Sequence, residues 1–186
     1  MPGQILEQVM KKTDSSEGRE SGGLLRCARI VSDVLGAESC AVIGGLALSA
    51  FGYVRGTLEA DFISRDDPQK ILSSLQKSGI ECLLIQGDQE DPLPWVVRGE
   101  IEGFRFDILP QVAGTRVERG IVLPDLGLRI CDVSDFIALK CYAGGPQDLV
   151  DIANLVGVRP DLREEALRIA GIYGHASALA SFLEPS

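Results

Sequence analysis

Three carboxylates and a pair of glycines are the parts of this sequence best equipped for chemistry. Glu59 and Asp61 stand two residues apart in Glu59-Ala-Asp-Phe-Ile63, a stretch that reads as a strand. Residues i and i+2 of a strand face the same way, about 6.6 Å apart along it. Two carboxylates on one side are costly unless water, a shared proton or a cation relieves them. A third acid, Asp107, interrupts Phe104-Arg-Phe-Asp-Ile-Leu109, where alternation puts it on the face opposite Phe104, Phe106 and Ile108. Three acids on neighbouring strands suit two Mg²⁺ ions about 3.5–4 Å apart. One ion would activate an attacking hydroxyl, and the other would neutralise a triphosphate and its leaving pyrophosphate. In such chemistry the protein chiefly positions charges. The bland alternative is that these acids line the solvated face of an edge strand.

Gly44-Gly45 precede the acids in Ala41-Val-Ile-Gly-Gly-Leu-Ala-Leu-Ser-Ala-Phe-Gly52. The apolar strand expected at Ser39–Ile43 stops at the two glycines and feeds a short helix, Leu46–Phe51. Backbone N–H groups at such a helix start suit an anionic phosphate. Glycine permits the close approach because it lacks a Cβ. A plain tight turn would need the same two residues.

Positioning these groups calls for a mixed α/β (α+β) unit. Gln4–Lys12 is a candidate short helix and Thr13–Gly23 a polar joint. Leu24, Ala28, Val31 and Leu35 repeat at helical spacing, predicting an amphipathic helix that ends at Gly36. Asp67-Pro68 is a helix start with Asp as N-cap, and Gly79 closes that helix. Further strands are expected at Ile80–Ile85, Trp95–Arg98, Phe104–Leu109 and Leu126–Ile130, with residues 99–103 as a hairpin loop. From Asp132 onward the texture is helical, with candidates at Val133–Tyr142, Gln147–Val156, Leu162–Ala170 and His175–Leu183. Pro146 and an Asp161-x-x-Glu164 box serve as start signals. The organisation expected is one domain over residues 1–186, with an α/β core at 24–131 and a helical part at 132–186 packed on it.

Composition narrows the partners. The chain has 186 residues, 45% hydrophobic but only 5% aromatic, so aliphatic side chains must fill the core. A net charge of −9, with no run of Lys and Arg, argues against duplex DNA, whose binding is dominated by phosphate contacts. No apolar run reaches the roughly 18–20 residues that span a bilayer, and Met1-Pro-Gly-Gln4 has neither a basic start nor an apolar signal core. A cytoplasmic protein with no membrane partner is expected. The five cysteines, at 27, 40, 82, 131 and 141, form no C-x-x-C and fit reduced, buried thiols. His175 reads as structural and Trp95 as packing rather than base stacking; Asp148 and Asp151 read as capping and solvating their helix rather than orienting Lys140.

Gly44-Gly45, then Arg55-x-Thr57-x-Glu59-x-Asp61, then the lone Asp107, resemble the signature of DNA-polymerase-β-like nucleotidyltransferases. The likeness extends to the minimal bacterial branch that includes AbiEii-type toxins, and with it to toxin–antitoxin pairs. The helix string Ala138-Leu-Lys-Cys-Tyr-Ala-Gly-Gly-Pro-Gln-Asp-Leu-Val-Asp-Ile-Ala153 is similar too, so the resemblance spans roughly Ser39 to Val156. It implies a small mixed sheet flanked by helices, and transfer of a nucleoside monophosphate from an NTP to a hydroxyl on an RNA end, a protein or a small molecule. It implies that Gly44 and Gly45 cradle the triphosphate and that Arg55 and Lys140 contact phosphate. Glu59 and Asp61 become Mg²⁺ ligands, and Asp107 a further ligand or the general base. The sequence departs from the family at Glu59, where Asp is usual, at Leu46, where Ser is frequent, and at Gln147, where a basic residue is common. Those departures keep open a catalytically degenerate binding or regulatory module on the same fold.

Overall fold

The computed structural model describes residues 16–88 and 90–184. Helix α1 (Ser16–Leu35) leads into β1 (Cys40–Val42), the short α2 (Gly44–Ala50), β2 (Glu59–Ser64) and α3 (Pro68–Lys77). Then come β3 (Cys82–Gln86), β4 (Trp95–Ile101), β5 (Phe104–Pro110), β6 (Ile121–Leu123) and β7 (Leu128–Ile130). Four helices finish the chain: α4 (Val133–Ala143), α5 (Pro146–Val158), α6 (Arg163–Ile172) and α7 (Ala176–Leu183).

The strands form one seven-stranded mixed sheet in the order β3-β4-β5-β2-β1-β7-β6. The pairs β2/β5 and β1/β7 are parallel and the rest antiparallel. Alternation does the sorting. Ala60, Phe62, Phe106, Ile108 and Val97 are fully buried on one face, where α1 lies over β5, β2, β1 and β7 and α3 lies over β3 and β4. Glu59, Asp61, Arg105, Asp107 and Arg98 occupy the positions between them and take the other face. Among the described residues no helix is long and apolar enough to cross a membrane.

Several expectations need correction. The polar joint over Thr13–Gly23 gives way from Ser16 onward to helix α1. Gly23 is there for packing, since a Cβ on it would stand 2.2 Å from the Phe104 ring. The Gln4–Lys12 helix lies outside the described residues. Strand β6 was not anticipated: a three-residue edge strand carries too short a pattern to read. The hairpin loop is shorter than residues 99–103. It is a two-residue turn, Glu102-Gly103, with φ of 53° and 84°, the handedness that matches strand twist. Asp161 does not cap α6; its carboxylate accepts both hydrogen bonds of Arg159, at 2.9 and 2.7 Å. The Asp67 cap does form, accepting from the N–H groups of Gln69 and Lys70. All five cysteines are free thiols, and four of them are buried.

Candidate active site

The parallel β2/β5 register sets Asp61 opposite Asp107 and Glu59 opposite Arg105. One carboxylate oxygen from each of Glu59, Asp61 and Asp107 lies within 4.8 Å of the others, and all three residues are half-buried. The longer Glu59 side chain therefore still reaches the cluster. Burial, and then the negative charge of Asp107, push the Asp61 carboxyl up to about 6, against smaller downward pulls from Lys140, Arg55 and Arg98.

Gly44 packs against this cluster, and Gly45 against Thr57 beside it. Strand β1 runs beside β2, and the Ile43 N–H donates to the Asp61 carbonyl at 2.8 Å. That holds Gly44 directly against the Asp61 side chain. A Cβ on Gly44 would stand 2.1 Å from Asp61 Oδ2, and its φ of +62° is one that L side chains rarely adopt. A Cβ on Gly45 would stand 2.6 Å from the Cβ of Thr57. Ile43, at the N-cap of α2, offers no side-chain acceptor, so the first helical N–H groups get no cap.

Lys140 reaches from α4 to the start of α5. Its Nζ donates to Asp148 Oδ1 at 2.7 Å and sits 2.9 Å from Asp151 Oδ2. The second contact is an ion pair with poor hydrogen-bond direction, which leaves Asp151 Oδ2 buried without a well-aligned donor. Asp148 also caps α5, accepting from the Gly145 N–H at 3.1 Å. Asp151 is 1% exposed and so does not solvate the helix, contrary to the sequence reading. It accepts from Gln147 Nε2 at 2.9 Å and pairs with Arg55 Nε at 3.5 Å. Arg55 Nε is itself buried without a hydrogen bond. Arg55 thus pairs with Asp151 on α5 rather than with the three carboxylates of the sheet.

Between Asp61 and α4 lies a cavity of about 220 Å³. Asp61, Lys140 and Asp148 give it a polar side, while Ile43, Leu109 and Phe136 contribute apolar wall. Pro92 and Leu93 also line it, and the Tyr142 hydroxyl donates to the Pro92 carbonyl at 2.7 Å. Trp95 is half-buried and packs against the core. His175 sits against Gly144, where a Cβ would stand 2.8 Å from its Nε2.

Two arginines stand on these acids, and Arg98 was not expected there from sequence. Arg98 lies opposite Asp107 across β4/β5 and holds it with both forks, Nε to Oδ1 at 2.8 Å and Nη2 to Oδ2 at 2.6 Å. Arg105 forms an ion pair with Glu59. The signal for Arg98 was the Glu-Gly turn: closing the hairpin at residues 102 and 103 aligns positions 98 and 107.

Several solved structures share this architecture. The solution structure of the antibiotic-resistance factor ANT(2'')-Ia matches with a TM-score of 0.57 at 13% identity, covering 85% of this chain and 96% of that one. The crystal structure of ANT(2'')-Ia in complex with adenylyl-2''-tobramycin gives a TM-score of 0.52 at 13% identity, covering 80% of this chain and 99% of that one. No protein-family model matches the sequence, and no curated protein matches it. At such identities the likeness defines a fold class. This chain has the mixed α/β fold of the nucleotidyltransferases.

Proposed function

We propose that this protein transfers a nucleoside monophosphate from an NTP to a hydroxyl acceptor, using divalent cations held by Glu59, Asp61 and Asp107. The observation that carries the reading is the meeting of three carboxylates within 4.8 Å, against a turn where only glycine fits. An all-oxygen donor set suits a hard cation such as Mg²⁺. Bound there, Mg²⁺ would polarise phosphate oxygens and neutralise the triphosphate.

The remaining work falls to the chain itself. Asp107 would accept the proton of the acceptor hydroxyl at a carboxylate oxygen. Lys140, held in place by Asp148 and Asp151, would face the phosphates from the α4 side. Gly44 and Gly45 would leave the floor of the site free of side chains, and the apolar wall of the cavity would receive the base. Arg55 would support the phosphates through Asp151, which it shares with Lys140. The likeness to AbiEii-type toxins rests on the motif strings alone. The acidic chain, net −9, favours an acceptor other than duplex DNA: an RNA end, a protein hydroxyl or a small molecule.

A second reading, a degenerate binding or regulatory module, draws on Arg98 and Arg105 lying on two of the three acids. One experiment separates the two. The protein is incubated with each labelled NTP, Mg²⁺ and a cell extract. The enzyme reading expects label on a discrete acceptor, abolished in Asp61→Asn and Asp107→Asn. NTP binding that needs no cation, with no labelled product, would leave only the binding module.

A further inference from the structure

We infer, resting on the catalytic reading above, that Arg98 and Arg105 are positioning residues that make the divalent cation bind together with the triphosphate and not ahead of it. Both oxygens of Asp107 are engaged by the two-pronged grip of Arg98, and Glu59 is paired with Arg105. A lone cation must displace these guanidinium groups before it can use two of its three ligands.

The strand register decides what displacement costs. Arg105 lies between two acids, Glu59 on β2 and Glu100 on β4, each directly opposite it. Released from Glu59, it has a second carboxylate in reach. Arg98 lies between Asp107 on β5 and Leu83 on β3. Released from Asp107, it has no acid opposite it on β3; the next carboxylates on that face are Asp61, itself a cation ligand, and Glu100, which Arg105 also faces. An incoming triphosphate changes this, because it brings oxygens that a guanidinium fork matches in pairs. Neither side chain is buried: Arg98 is 43% and Arg105 56% exposed. Both border an open groove of about 750 Å³ beside Leu83 and Glu100, so they can swing without disturbing the core. Cation and triphosphate therefore tighten one another, and by linkage the factor is the same in both directions.

The test is direct Mn²⁺ binding by electron paramagnetic resonance on the full chain, with and without a non-hydrolysable NTP analogue, after allowing for Mn²⁺ held by free nucleotide. The wild type should bind Mn²⁺ weakly alone, and more tightly with the analogue by a factor in the range of about 5–150. Arg98→Gln should bind Mn²⁺ alone more tightly and lose most of that factor. Arg98→Lys keeps the charge but cannot grip both oxygens, so tightening there isolates the guanidinium's occupancy from net charge. Arg105→Gln provides an independent variant on Glu59, and thermal melting confirms that each is folded. If the wild type binds Mn²⁺ and all three variants bind it no more tightly, the coupling is refuted and the metal site stands. If no protein binds Mn²⁺ under either condition, the metal site itself fails and the coupling falls with it.

Discussion

Replacing Gly44 by alanine probes the contact on which the proposed site depends. The added methyl meets two separate penalties. The first is conformational: φ is +62° at Gly44, and the left-handed region costs a non-glycine residue roughly 1–2 kcal/mol. The second is steric. The new Cβ would stand 2.1 Å from Asp61 Oδ2, so the carboxylate must move, and forced repacking of this kind costs about 1–3 kcal/mol. Gly36→Ala is the matched control, with φ at +84° but nothing within 4 Å of the new methyl. Urea unfolding should therefore show the control destabilised by roughly 1–2 kcal/mol, from strain alone. Gly44→Ala should lose about 2–5 kcal/mol, the sum of strain and repacking. Mn²⁺ binding should weaken in Gly44→Ala and stay at the wild-type level in Gly36→Ala. Equal destabilisation of the two variants with Mn²⁺ binding intact in both would refute the claim that Gly44 is reserved for the Asp61 carboxylate.

Two further outcomes follow from burial. Asp61 is lifted from its ordinary 3.8 to about 6, so the folded state keeps its proton longer than the unfolded chain. That contribution to stability is complete below about pH 4 and is lost as the pH rises through 6. Without divalent cations, Asp61→Asn should therefore be more stable than wild type at pH 7.5, by up to about 3 kcal/mol, with the gap closing toward pH 4; an equal gap in urea melts at both pH values would contradict this. Burial also raises the Cys27 and Cys40 thiols to about 12 and Cys141 to about 11, and lifts Cys131 as well. Burial lifts the Cys82 thiol too, but Cys82 alone is only half-buried, so it should be the first to react with a thiol reagent in the native protein, and Cys82→Ser should remove that fast equivalent.

Whatever depends on local order was legible in the residues alone. The spacing of Glu59 and Asp61 put both acids on one face, because a strand turns its side chains over every residue. The interruption of the Phe104–Leu109 pattern gave Asp107 its side of the sheet, and Asp67-Pro68 fixed a helix start. Tertiary structure decided what depends on register and distance. That Asp107 lies opposite Asp61, and not two residues along, is a property of β2/β5 pairing between segments more than 40 positions apart. The same holds for Thr57 against Gly45, for Gly23 beneath the Phe104 ring, and for Lys140 between Asp148 and Asp151. Arg98 makes the contrast plainest. Its type and its place in a strand are written in the chain, but its grip on Asp107 exists only because a two-residue turn sets the hairpin register. Shifting that register by one residue would carry the guanidinium to the opposite face of the sheet.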